Sequence, residues 1–293
     1  MGSGRSARAS ALLIAVVVFL SACSDGGRPT GSRPQRDRPS QFRDRTPNDS
    51  PTPRQTPAQN SVHGLVMASS FESPICGRWV APERQGCEFG VQGGVEAGPY
   101  EPRSGEWAAR IPRMTPSHQG VIANVPLENG HAFIGVAHRI PAIPPGAIPD
   151  NRGHIQIEQL SPTDGVLPGW PVEVRLYPDR RLGLALFGDR EFVAMADYRI
   201  PVDEWFYVVV EVSNGTRARQ RMWIYGPGGE LEATVSAWLN TRGFERAGRR
   251  TAHKIGGNTS TLIPMYTYAD DWYISSKNLG PIRIDQDGLP LDS

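Results

Sequence analysis

Gly153-His154-Ile155-Gln156-Ile157-Glu158-Gln159-Leu160 is the stretch from which the rest of the chain can be read. Through Glu158 it alternates polar and apolar, the two-residue period of a β-strand with one face buried. Ile155 and Ile157 are expected on the buried side. His154, Gln156 and Glu158 are expected together on the other, an imidazole, an amide and a carboxylate in one row. Plain packing does not call for three different hydrogen-bonding groups, so the strand is also a candidate site.

The neighbouring sequence repeats the pattern. Residues 172–177 alternate again, with Glu173, Arg175 and Tyr177 against Val172, Val174 and Leu176. Pro178-Asp179 begins a tight turn, and 182–187 return with Leu182, Leu184 and Leu186 inward. Gly183 and Ala185 leave the opposite side of that strand low and flat. Further strands are read at 64–71, 107–111, 120–125, 131–140, 192–198, 205–212, 219–225 and 231–235. The 205–212 segment is apolar on both faces, as a strand covered on both sides must be, and Pro227-Gly228-Gly229 makes the pair after it a hairpin. No segment has a helical period, and 32 Gly with 27 Pro favour many turns. The expected fold is all-β, a two-sheet antiparallel jelly-roll sandwich, preceded by a disordered tether.

The tether is read from composition. Arg5 and Arg8 precede an apolar run at 11–20 that is too short to span a bilayer, so residues 1–22 read as an export signal. Its end, Leu20-Ser21-Ala22-Cys23, resembles the bacterial lipobox. That resemblance implies cleavage before Cys23, a diacylglycerol on its thiol and a lipid-anchored protein on the extracytoplasmic face of the membrane, in the cell envelope. Residues 23–60 are rich in Pro, Arg, Ser and Thr and nearly free of large apolar side chains, so they form a linker that cannot offset its chain entropy by burial. The sandwich takes 61–278, and 279–293 remain as a C-terminal tail. Cys76 and Cys87, in an exported chain, are expected to form a disulfide. With 31 basic and 30 acidic residues the chain has no global field to hold a nucleic acid.

Several spaced residues resemble a family. Phe71-Glu72 with Trp79, the strand from Pro201 to Glu211 with Trp205, the hairpin at 222–234, and His253-Lys254-Ile255-Gly256 followed by Tyr268–Ser275 are similar to a concanavalin A-like (laminin-G-like) jelly roll. Within it the look is nearest to jelly-roll polysaccharide lyases and their non-catalytic relatives. The glycosidases of this fold carry Glu-apolar-Asp-apolar-Glu on a groove strand, because cleavage takes two carboxyl groups. Here those positions read His154, Gln156 and Glu158, which disfavours a glycoside hydrolase. A lyase must neutralise a uronate carboxylate, take the proton beside it and protonate the leaving oxygen. The resemblance implies His154 as base and Gln156 as neutraliser, with Arg175 and Lys254 as cationic helpers. The family's order is Gln-apolar-His, reversed here, and its Lys-x-Gly-x-Tyr ends in Asn258, leaving Tyr266 or Tyr268 as substitutes. Binding without chemistry needs aromatic faces and planar polar groups, for which His154, Gln156, Glu158, Arg175 and Tyr177, with Phe133 and Trp170, are candidates. A polysaccharide-binding surface lipoprotein is the first reading. A lyase acting on uronic-acid glycans is the second, and an envelope structural or interaction lipoprotein the third. In relatives a Glu after the first Phe and an Asp on the last strand hold structural Ca2+, which would make Glu72 and Asp271, with Asp270 as the alternate, metal ligands here.

Overall fold

In the computed structural model the described residues are 64–72, 90–92, 94–113, 119–126, 131–148, 153–162, 172–186, 193–213, 215–241, 250–257, 261–285 and 289–291. The signal segment, the linker with Cys23, and Cys76, Trp79, Cys87 and Trp170 lie outside them. In chain order the strands are β1 (Leu65–Ser69), β2 (Gly90–Gln92), β3 (Glu96–Gly98), β4 (Ala108–Pro112), β5 (Gln119–Pro126), β6 (His131–Arg139), β7 (Ile155–Pro162) and β8 (Val172–Leu176). They continue as β9 (Arg181–Leu186), β10 (Val193–Arg199), β11 (Trp205–Ser213), β12 (Ala218–Tyr225), β13 (Leu231–Leu239), β14 (Arg250–Gly257) and β15 (Tyr266–Ser275). Every expected strand forms. The short β2 and β3 carry too little pattern to be read in advance.

The alternation decides the layers. One sheet runs β10-β9-β8-β7-β14-β5-β2 and the other β13-β12-β11-β6-β15-β4-β3, with β1 added on β15 beyond β4. Every pairing is antiparallel, for example β8 with β9 and β11 with β6. Ile155, Ile157, Val174 and Leu184 from the first sheet meet Ile134, Phe206, Val208 and Trp272 from the second in one core. This is the all-β two-sheet antiparallel sandwich of jelly-roll type.

Strand β11 is covered on both sides, and the second cover comes from the chain's end. Phe206, Val208 and Val210 face the main core, while Tyr207 and Val209 join Phe133, Tyr273, Ile282 and Ile284 in a second cluster on the far side. Residues 279–285, read from sequence as tail, therefore lie across the eight-stranded sheet. The Ser104 hydroxyl donates to the Ile284 carbonyl at 2.9 Å, the Ile284 N–H to Asp271 at 2.8 Å, and the Ser70 hydroxyl to the Asp285 carbonyl at 2.7 Å. Gly135 makes room for the same cluster, since a Cβ there would run into the Tyr273 ring.

Strand β7 departs from strict alternation. Ile155 pairs with Leu176 and Gln156 with Arg175, but the next partner of Val174 is Glu158. The slip is a β-bulge that sends both Ile157 and Glu158 inward and restores the outward side at Gln159, opposite Glu173. One inserted residue flips the face of everything after it.

Candidate functional site

The outer face of the seven-stranded sheet can be laid out from its register. Arg175 stands between Gln156 on β7 and Gly183 on β9, and Gly183 is followed by Met195 on β10. On the other side of β7, Gly256 of β14 pairs with Gly120 of β5. Gly183, Gly256 and Gly120 carry no side chain on their strands and mark a track beside the buried Gln156 and Arg175. One position along the strands, Glu173 stands between Gln159 and Ala185, and Gln159 faces Lys254. One position the other way, the His154 and Tyr177 rings adjoin with centroids 6.0 Å apart and planes at 42°.

The floor is a buried polar lattice. Gln156, Glu173, Arg175, Gln159 and Lys254 are all buried, while His154 and Tyr177 are half-exposed. The Gln156 amide and the Arg175 Nε (2.7 Å) both donate to the Glu173 carboxylate, and Arg175 Nη2 donates to the Leu186 carbonyl at 2.6 Å. Burial pushes Glu173 up, against the pull of the Arg175 guanidinium. Burial likewise raises the Tyr177 hydroxyl, against a hydrogen bond from Arg175, so this phenol stays protonated. Lys254 is lowered to about 8, by burial first and by the charge of Arg113 second. Arg113 reaches across the core from the end of β4 to the Gln156 carbonyl (Nη1, 2.8 Å) and the Thr267 hydroxyl (Nε, 2.9 Å), and burial lowers it to about 9. The arginine braces the bulge from beneath.

Glu158 does not belong to this face. The bulge places it at 0% exposure in the core, where Oε1 meets His138 Nε2 at 2.8 Å and Oε2 meets His253 Nε2 at 3.1 Å. His253 Nδ1 accepts the Trp272 indole N–H at 2.9 Å, and His138 stacks on Phe206. An indole nitrogen can only donate, so Nδ1 of His253 carries no proton and Nε2 donates to Glu158. Burial raises Glu158, but the hydrogen bonds from the two imidazoles outweigh it and hold the carboxyl below its ordinary value. Two imidazoles and a carboxylate also form a familiar metal donor set. Here the indole forces a proton onto the His253 nitrogen that would have to ligate, so the set reads as a hydrogen-bonded strut between the sheets. The sequence carried one signal for it, His138 ending the otherwise apolar run from Ala132.

The remaining predicted residues fall elsewhere. Phe133 belongs to the second cluster on the eight-stranded sheet, and Tyr266 and Tyr268 flank arginines on that sheet's outer side, away from the track. Glu72 Oε1 accepts the N–H groups of Glu106 (2.6 Å) and Trp107 (2.8 Å). Its fit depends on Gly105 at φ +65°, where a Cβ would run into the Glu72 carboxyl. Asp271 takes the Arg103 guanidinium at 2.5 Å, the Ser104 hydroxyl and the Ile284 N–H. Asp270, pushed well up by burial and by the neighbouring Asp271 charge, accepts the N–H groups of Arg103 (2.7 Å) and Ser104 (3.2 Å). A calcium ion asks for about six to eight converging oxygens. These carboxylates are instead met by N–H, O–H and guanidinium donors, and the arrangement does not fit that ion. Among the described residues no group of three or more His, Cys, Asp or Glu is set to hold a metal.

No family model and no curated protein matches the chain. Among solved structures it is similar to the cellulose induced protein Cip1, at 14% identity over 74% of this chain and 100% of that one, with a TM-score of 0.47. It is similar to lectin II from Ulex europaeus at 11% identity over 72% and 98%, with a TM-score of 0.45. An endo-β-1,4-glucuronan lyase from the fungus Trichoderma reesei follows at 10% identity over 68% and 90%, with a TM-score of 0.43. At such identities and scores these likenesses say nothing of what this chain binds.

Proposed function

We propose that the protein binds a carbohydrate chain in the track across the seven-stranded sheet, held at the cell surface by a lipid on Cys23. The observation that carries the binding reading is the register line Gly120–Gly256, Gln156–Arg175–Gly183, a flat path with amide and guanidinium groups in its floor. Sugar recognition combines planar polar groups for hydroxyls with aromatic faces for C–H patches. Tyr177 and His154 supply those rings at the rim, half-exposed. The anchor rests on Leu20-Ser21-Ala22-Cys23. Retention of the purified protein on a panel of immobilised polysaccharides tests the binding. His154→Ala and Tyr177→Ala are the informative variants, because their side chains are partly exposed while Arg175 is locked in a buried ion pair. The expected result is a loss of at least about tenfold in affinity, roughly 1.4 kcal/mol, with unchanged circular dichroism. Equal retention by both variants sinks the reading. A Cys23→Ala protein is expected to leave the membrane fraction, and unchanged fractionation rules out the lipid.

A second reading, a lyase acting on uronic-acid glycans by β-elimination, is favoured by Lys254. An amine lowered to about 8 on the groove face supplies a base near neutral pH. In that reaction Lys254 or His154 takes the proton beside the uronate carboxylate, Gln156 or Arg175 neutralises that carboxylate, and the protonated Tyr177 hydroxyl serves the leaving oxygen. Ultraviolet absorbance of an unsaturated uronate product separates the readings. Product formation, rising with pH through about 8 if Lys254 is the base, supports the lyase. Retention without product supports binding alone. Neither outcome leaves the envelope structural or interaction role.

A further inference from the structure

The opposite side of the sandwich carries a second surface that the groove does not use. On β12 the inward residues are Ala218, Gln220, Met222 and Ile224, all buried. Outward stand Arg219, Arg221 and Trp223, two residues apart and therefore spaced by roughly 7 Å. The neighbouring β13 faces out with Thr234, Ser236 and Trp238, and Trp238 is 57% exposed. Its register sets Trp238 beside Arg219, Ser236 beside Arg221 and Thr234 beside Trp223. The Arg217 guanidinium lies 5.9 Å from the Trp238 ring centre and that of Arg221 lies 5.0 Å from Trp223.

The charges on this surface do not cancel. At its centre Glu211 is buried beneath Arg221 and His131, which donates at 2.8 Å. Burial raises Glu211, and the hydrogen bonds from Arg221 and His131 win and hold it low. Arg219 reaches only the Ser236 hydroxyl, at 3.2 Å. Among the described residues no carboxylate lies within ion-pair distance of Arg217 or Arg219, both exposed. Glu230 and Glu232 sit at the far end of the hairpin, so the basic end is also the end with the exposed indole.

We infer that the outer face of β12 and β13 binds a linear anionic polysaccharide, with Arg217 and Arg219 on its carboxylate or sulfate groups and Trp238 under a ring. A row of cations along a strand suits a linear polymer, and guanidinium groups match carboxylates and sulfates in a bidentate fork. Ser236 and Thr234 give the hydroxyl partners that a sugar chain needs and a lipid tail does not. The ligand class is thus set by charge, on a sheet face separate from the groove.

Binding of the full-length protein to polygalacturonate, with dextran as the neutral control and phosphatidylglycerol vesicles as the lipid control, tests this. The expected result is binding to polygalacturonate alone, weakening as salt rises. An Arg217→Ala/Arg219→Ala double variant and a Trp238→Ala variant are each expected to lose at least about tenfold. A charge-keeping Arg219→Lys variant is expected to fall between the parent and the double variant, because it keeps the charge and loses the fork. Because these side chains are exposed, the variants are expected to keep the parent's urea midpoint. Unchanged affinity in the double variant overturns the inference, as does equal binding to dextran or binding to vesicles without polygalacturonate. Loss on Tyr177→Ala alone assigns the polyanion to the groove and likewise overturns it.

Discussion

At Glu158 one residue's environment turns on one proton. Trp272 fixes the His253 tautomer, His253 then donates to Glu158, and the carboxyl remains ionised in the core despite full burial. A folded value below the ordinary one, about 4.3, gives a contribution that is complete above the unfolded value and is lost as pH falls through the folded one. Urea midpoints measured from neutral to acid pH are expected to fall more steeply for the parent than for Glu158→Gln. At neutral pH that variant is expected to lose about 1–3 kcal/mol, because a neutral amide replaces the charged acceptor that both imidazoles share. Parallel acid slopes would mean that Glu158 is not charged in the fold. Arg113 shows the same economy at its own position, one buried guanidinium taking the Gln156 carbonyl that the bulge turns toward it.

Single elements carry the next layer of the argument. The β7 bulge is what makes Gln156 and Gln159 share the outer face and Glu158 leave it. Deleting Ile157 removes the extra residue and restores strict pairing, with Glu158 still opposite Val174 and inward, at the loss of one fully buried side chain. The expected outcome is a lowered urea midpoint, and a deletion variant with the parent's midpoint would show the bulge to be dispensable. In the other sheet, Gly135 opposes Tyr273 across β6 and β15. Gly135→Ala is expected to cost roughly 1–3 kcal/mol, the usual range for overpacking, read as a lowered urea midpoint. On β12 the alternation also explains how a nearly neutral chain holds a basic surface. Period two places Arg219 and Arg221 on one side, and the acids that balance them in the total lie elsewhere.

For the whole molecule, the chain's end matters more than its position suggests. Ile282 and Ile284 close the cluster over Tyr207, Val209, Phe133 and Tyr273. Burial of two isoleucines is worth at least roughly 3 kcal/mol. Truncation after Asn278 is therefore expected to lower stability by that much or more and to expose a dye-binding apolar face, detected by a hydrophobic fluorescent probe. A truncated protein as stable as the parent would contradict the cluster's role. At Asp271 the Arg103 guanidinium supplies a positive charge. Accordingly, chelation is expected to leave the melting temperature unchanged, whereas Arg103→Ala lowers it. A fall on chelation would restore the calcium expectation.

The sequence determined the strands, the two layers and which strand would be covered twice, because alternation and apolar runs are local properties of a chain. It also placed Gln156 opposite Ile155 on its strand, and Arg175 and Tyr177 opposite Val174 on theirs, since period two needs no knowledge of partners, whereas Lys254 came only with the family resemblance. It could not place Glu158. A bulge is set by the pairing of two strands, and Val174 selects Glu158 only once β8 lies alongside. Nor could it pair Asp271 with Arg103, 168 residues away, in place of a metal. Those two decisions depend on which donor arrives at a carboxylate from distant chain, and only the closed sandwich brings the donors there.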